Sequence, residues 1–120
     1  MSATTDTRQL IAQALSGLYD EVPPLGQLKL VVKLELRSHG SGAPPIWRVE
    51  VPGPEIARDP AADARLEVSV ARPDFNELAA EGQLAQWVSA YERGQIKVSG
   101  EPAVVKLLGN VIQRQLARAR

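Results

Sequence analysis

Residues 28–37 alternate between apolar and polar side chains, and this run constrains the fold more than any other part of the sequence. A period of two is the mark of a β-strand, because successive side chains point to opposite faces. One face is entirely aliphatic, and the other is mostly charged. A strand with one wet face belongs to a sheet that is covered on one side only, and such sheets are usually antiparallel. The aliphatic face consists of Leu28, Leu30, Val32, Leu34 and Leu36.

The rest of the chain alternates between strand and helix patterns. Residues 46–51 and 66–70 also alternate, and residues 55–57 suit a short edge strand between prolines. Apolar residues at helical spacing occupy residues 10–19, 75–79, 84–91 and 104–116. The order is helix, strands, helices, strand and helix. This order predicts one α+β domain over residues 1–120, in which helices pack on one face of a mostly antiparallel sheet.

The period changes within residues 94–108, GQIKVSGEPAVVKLL. Ile96 and Val98 alternate with polar residues, as in a strand. After Gly100 the apolar residues recur at helical spacing. Gly100 permits a sharp turn, and Pro102 suits the first position of a helix, where no N–H is needed. We therefore expect a strand that leads directly into the last helix.

Composition excludes several classes of function. Lys and Arg number 14 and so do Asp and Glu, and neither half of the chain is strongly basic. An electrostatic grip on nucleic acid is therefore not expected. The absence of Cys excludes disulfides, thiolate chemistry and cysteine-bound zinc. We find no signal-peptide pattern and no window resembling a membrane span, so we expect a cytoplasmic protein.

The residues that usually carry catalysis are sparse. His39 is the only histidine and lies in a Gly/Ser-rich segment, where a solvated loop residue is expected. No Gly-x-Ser-x-Gly nucleophile motif and no phosphate-cradling glycine motif is present. We predict no catalytic residue, no metal site and no cofactor. A polar group inside an apolar pocket would have to come from Tyr19, Tyr91 or Glu101, and each of these is expected at a rim or on the surface.

The last helix has an unusually broad apolar side. Its members are Val104, Val105, Leu108, Val111, Ile112 and Leu116, and Leu107 widens it. Two interpretations fit this pattern. The helix packs into an ordinary core, or it closes one wall of a cavity for an apolar ligand. Periodicity does not distinguish between them.

Three runs in the second half of the chain carry a resemblance to a known family. They are ARLEVSVARPDFNELAAEG, LAQWVSAYERGQIKVSGE and PAVVKLLGNVI. In this order and spacing they resemble the sterol carrier protein 2 family, and G-x-I-K-V-S-G-E is the most specific piece. The first half fits more loosely.

The resemblance implies a twisted sheet of about five strands with an apolar tunnel between sheet and helices. It places residues 96–100 at a sheet edge, with the last helix folding back over the tunnel. We expect a small bacterial lipid-binding carrier, without chemistry of its own, that takes a sterol, fatty acid or acyl chain and makes transient contact with a membrane or a pathway enzyme. One alternative is an accessory or catalytic pocket protein for a quinone, terpenoid or polyketide intermediate, and another is a packed interaction domain without ligand. The predicted ligand-binding residues are Phe75, Leu78, Trp87, Val104, Leu108, Val111 and Ile112.

Overall fold

Five strands form one sheet in the order β3-β2-β1-β4-β5. The computed structural model of the chain describes residues 3–38, 45–51, 53–81 and 83–118. The predicted loop around His39 lies outside these residues, and so does Gly82. The strands are β1 (Leu30–Arg37), β2 (Ile46–Val51), β3 (Glu55–Arg58), β4 (Leu66–Ala71) and β5 (Ile96–Gly100). The helices are α1 (Ala3–Glu21), α2 (Arg72–Glu81), α3 (Leu84–Glu92) and α4 (Pro102–Arg118), with a short 3₁₀ helix at Pro23–Gln27.

The pairing of the strands confirms a mostly antiparallel sheet. β1 with β2, β2 with β3, and β4 with β5 are antiparallel pairs. The pair of β1 and β4 is parallel, which the alternation did not predict. β3 already occupies the far edge of β2, so the chain crosses to the free edge of β1. The strand β1 begins at Leu30, two residues later than the alternation suggested.

The two faces of the sheet differ as the alternation predicted. The inner face carries the aliphatic side chains of β1 and, in register with them, the apolar side chains of the other strands. The core forms where α1, α2 and α3 cover this face. The largest fully buried side chains include Leu36 of β1, Trp47 of β2 and Val70 of β4.

The outer face is polar, and its charged side chains form ion pairs and hydrogen bonds with their neighbours. Lys33 Nζ lies 3.3 Å from Glu67 Oε1, and the Ser69 hydroxyl donates a 2.8 Å hydrogen bond to Glu35. Arg48 and Asp63 form a two-pronged ion pair, with distances of 3.1 and 2.7 Å. This pair lowers the pKa of the Asp63 carboxyl through the hydrogen bonds from Arg48. Such exposed pairs keep this face solvated and add little stability.

The turn from β5 into α4 depends on Gly100. Its φ of +135° is a conformation that side chains rarely adopt. A Cβ at this position would clash with the Arg65 carbonyl oxygen and would lie 2.9 Å from the Leu66 Cα. Glu101 N–H then donates to the Arg65 carbonyl at 3.0 Å, and α4 begins at Pro102. The predicted passage from an edge strand directly into a helix is confirmed.

Candidate ligand-binding site

The inner face of the sheet is covered unevenly. At one end Leu34, Leu36, Val70 and Ile96 are buried beneath the helices. Toward the beginning of β1 and the end of β5, four inner-face side chains are only half-buried, although their neighbour Leu66 on β4 is buried: Leu30, Val32, Val68 and Val98. Val68 and Val98 are direct cross-strand partners, so these two half-buried side chains form one continuous area.

The helix α4 lies beside this area and covers it only in part. Its main contacts are with β5 and with the 3₁₀ helix, and Val104 is its single buried residue among those described. The other apolar side chains of the stripe are half-buried, except Leu107, which is 47% exposed. A helix that packed fully into the core would bury such a stripe. The apolar side of α4 is therefore only partly covered by the rest of the described chain.

An apolar cleft of about 190 Å³ separates α4 from the sheet. Its walls come from the beginning of β1, from the beginning of β4 and from the first turns of α4. The tunnel that the resemblance implies takes the form here of a cleft open on one side. Ligand pockets usually measure about 300–1,000 Å³, so a long chain would need α4 to move outward. The lining residues are Leu28, Lys29, Leu30, Arg65, Leu66, Ala103, Val104, Leu107 and Leu108.

The seven predicted ligand-binding residues fall into three groups. Val104 and Leu108 line the cleft. Val111 and Ile112 lie further along α4 and are half-buried. The third group belongs to α2 and α3, whose side chains face the core: Phe75, Leu78 and Trp87.

Phe75 belongs to the core rather than to the cleft. It is 3% exposed, and its ring meets that of Trp87 edge-on, with centroids 6.2 Å apart. Leu78 and Trp87 are half-buried against the core cluster. The structure therefore brings Phe75, Leu78 and Trp87 together with the core, away from the residues that line the cleft.

The sequence interpretation missed the sheet side of the cleft. Leu28, Leu30 and Leu66 are lining residues, and their place on the inner face was already visible in the alternation. Lys29 and Arg65 also line the cleft, and no pattern in the sequence marks them as such. The Arg65 guanidinium donates to the Glu101 carboxylate at 2.9 Å, and this ion pair holds the Arg65 side chain in place.

Three buried side-chain polar atoms of the described residues form no hydrogen bond: Arg37 Nε and two atoms that lie against the apolar core. The Tyr19 hydroxyl and the Trp47 indole N–H form no hydrogen bond within the described residues. Burial raises the pKa of Tyr19. The expectation that Tyr19 lies at a rim or on the surface is wrong for its hydroxyl, because α1 turns that side chain onto the core cluster. Tyr91 is 53% exposed and Glu101 is exposed, in agreement with the prediction for both.

The described residues contain neither a cluster of metal-ligating side chains nor a helix that could span a membrane. No group of three His, Asp or Glu side chains in the described part of the chain converges as metal ligands would. No helix within residues 3–38 and 83–118, or in the described stretches between them, is long and apolar enough to cross a membrane.

Comparison with known proteins identifies the fold. No family model and no curated protein matches the sequence. The crystal structure of sterol carrier protein 2 like 2 from Aedes aegypti superposes with a TM-score of 0.59 at 18% identity, covering 92% of this chain and 99% of that one. Sterol carrier protein 2 from the same organism, in complex with palmitate, gives 0.58 at 18% identity, with 93% and 96% covered.

A ubiquinone synthesis protein, UbiJ-SCP2, is also similar, with a TM-score of 0.55 at 15% identity and coverage of 93% and 96%. These similarities extend over nearly the whole chain, the loosely fitting first half included. They agree with the resemblance seen in residues 64–108. The chain has the sterol carrier protein 2 fold.

Proposed function

We propose that the chain binds a single apolar ligand, such as a fatty acyl chain, between α4 and the half-buried end of the sheet, and carries it without changing it. The observation that carries this proposal is the incomplete cover of the inner face, where the apolar stripe of α4 stands beside half-buried Val68 and Val98. Ligand addition would bury both surfaces at once, which is the main favourable term in such binding.

The related structure that contains palmitate supports this ligand class. Leu108 and Val104 would contact the ligand first, because they line the existing cleft. Val111 and Ile112 would be reached as the ligand moved α4 outward. Leu78 and Trp87 would form the far end of the enlarged space, with Phe75 behind them. A cytoplasmic carrier of this kind requires no catalytic group, no metal and no cofactor.

The expected affinity follows from the length of the ligand. Each buried methylene contributes about 0.8 kcal/mol, so a chain of about 14 buried methylenes gains roughly 11 kcal/mol. Ordering the ligand and displacing α4 costs several kcal/mol. The remaining binding free energy is about −8 kcal/mol, which corresponds to a dissociation constant in the micromolar range.

Displacement of a fluorescent fatty-acid analogue by saturated fatty acids of increasing length tests the proposal. Affinity is expected to rise by up to about fourfold per methylene while the added carbons enter the apolar space. Native mass spectrometry of the purified protein is the companion measurement, in which a co-purifying lipid is expected. No saturable binding of fatty acids, sterols, acyl-CoA or quinones would leave the packed interaction domain as the remaining function.

A quinone-pathway role is the second candidate, and the similarity to the ubiquinone synthesis protein favours it. A quinone head group offers carbonyl oxygens, and Lys29 lines the cleft with a cationic donor that suits them. A prenylated quinone that binds at least tenfold more tightly than a fatty acid of similar length would select this candidate. Turnover of a pathway intermediate by the pure protein would show that the pocket also catalyses a step.

A further inference from the structure

The charges on α4 are all of one sign. Residues 102–118 contain Lys106, Arg114 and Arg118 and no Asp or Glu, although the chain as a whole is neutral. None of these three cations forms an ion pair with another described residue. On an ordinary surface helix, charges of both signs alternate and pair at neighbouring turns. The helix α4 is therefore a cationic amphipathic helix on a neutral protein.

Two of the cations share a side of α4 with its most exposed leucine. Leu107, Val111, Arg114 and Arg118 are spaced by four, three and four residues, which places them in one row along the helix. Leu107 is also at the mouth of the cleft, and Lys29 lines the same cleft from the sheet side. Lys29 has no ion pair within the described residues, whereas the nearby Arg65 is neutralised by Glu101. We call the surface formed by Lys29, Leu107, Val111, Arg114 and Arg118 the basic row.

We propose that the basic row docks the protein on a membrane surface that contains anionic lipid. Unpaired cations beside exposed apolar side chains are the pattern with which amphipathic helices lie in a lipid headgroup layer. Docking through this row inserts Leu107 and turns the mouth of the cleft toward the acyl chains. The ligand then passes between bilayer and cleft without crossing water. This role rests on the proposed function, but the docking itself is measured without any cleft ligand.

A second copy of the chain is poorly suited to bind the basic row. In a two-fold symmetric dimer the same patch meets itself, so the row of each copy would face the row of the other. Arg114 and Arg118 of both copies would then be gathered into one apolar contact that α4 supplies with no acidic partner, which is costly. Anionic headgroups instead match every cation of the row.

Flotation of the protein with lipid vesicles tests the proposal. The vesicles consist of phosphatidylcholine alone or with about one third phosphatidylglycerol. Each cation near an anionic surface contributes about a fivefold gain in binding, so three cations give at least about a hundredfold preference for the anionic vesicles. High salt is expected to remove most of this preference, because screening shortens the reach of the charges.

The variants separate the basic row from general charge. Arg114→Glu combined with Arg118→Glu is expected to lower binding to anionic vesicles by at least about twenty-five-fold. Lys106→Glu is the matched control, because it makes the same type of charge reversal on the same helix but outside the row. It is expected to lower binding by less than about fivefold. Leu107→Ser is expected to weaken binding without changing stability, since this side chain is already half exposed.

Three results would overturn the proposal. One is equal binding to neutral and anionic vesicles, and another is an equal loss per reversed charge from Lys106→Glu and from the double variant Arg114→Glu with Arg118→Glu. The third is a dimer in vesicle-free solution that Leu107→Ser dissociates, which would assign the row to self-association. Fatty-acid displacement on the wild-type protein keeps the two proposals apart. Fatty-acid binding without docking on anionic vesicles is a failure of the basic row alone, and docking without fatty-acid binding is a failure of the carrier proposal alone.

Discussion

Truncation of Leu108 separates a cavity wall from a packed core. Leu36 provides a matched control, because the same Leu→Ala change there removes a side chain that is 0% exposed. A buried Leu→Ala change costs about 2–5 kcal/mol, which includes the lost transfer free energy and the cavity left behind. For Leu36 we expect a value in the upper part of this range.

The expected cost at Leu108 is much smaller in the free protein. Leu108 is half-buried and already borders the cleft of about 190 Å³, so its truncation creates no new closed void. Only part of the transfer term remains, about 1 kcal/mol. In the ligand-bound protein the same side chain would contact the acyl chain. We therefore expect fatty-acid affinity to fall by about five- to thirtyfold for Leu108→Ala, with a similar shift for Ile112→Ala.

Urea denaturation and a fatty-acid titration on the same samples measure both quantities. Unfolding in the presence of ligand gives a third reading, since ligand at about 100 times its dissociation constant stabilises the wild type by about 2.7 kcal/mol. For Leu108→Ala this gain shrinks as the affinity falls. A loss of stability equal to that of Leu36→Ala, combined with unchanged ligand affinity, would refute the reasoning and make α4 an ordinary core helix.

Three other changes test separate parts of the structure. Gly100→Ala is expected to cost about 2–4 kcal/mol in urea denaturation, because it combines a strained positive φ with a clash against the Arg65 carbonyl oxygen and the Leu66 backbone, and a cost below 1 kcal/mol would contradict this account of the turn. Tyr19→Phe removes a buried hydroxyl without a partner, so stability should stay equal or rise by up to about 1 kcal/mol, whereas a loss of more than that would reveal a hydrogen bond in the folded protein. The pKa of Asp63 is lowered in the folded state, so its contribution to stability is present above about pH 4 and is lost as the pH falls through the folded pKa. Asp63→Asn should therefore flatten the acid side of the stability–pH curve slightly. An unchanged curve would show that the ion pair with Arg48 contributes nothing to the free energy of unfolding.

The sequence by itself determined the elements and the face that each turns inward. The alternation in residues 28–37 needs no tertiary information, because the two faces of a strand are set by backbone geometry. The positive φ at Gly100 is equally local, since glycine adopts such a backbone conformation readily. The start of α4 at Pro102 follows from the missing N–H of proline.

The parallel pairing of β1 with β4 was decided by the tertiary structure. Periodicity assigns a side chain to a face but carries no information about which strand lies alongside. β4 reaches β1 only because β3 has closed the other edge of β2, and that choice depends on the whole chain.

The depth of burial was also decided by tertiary packing. The stripes around Phe75 and around Leu108 look alike in the sequence, yet Phe75 is buried in the core and Leu108 borders an open cleft. The difference lies in how completely each helix is packed against the rest of the molecule. That packing is set by all the side chains between the layers together, so no local pattern encodes it. The same reason explains why the partly covered sheet, and with it the candidate ligand site, became visible only in the folded chain.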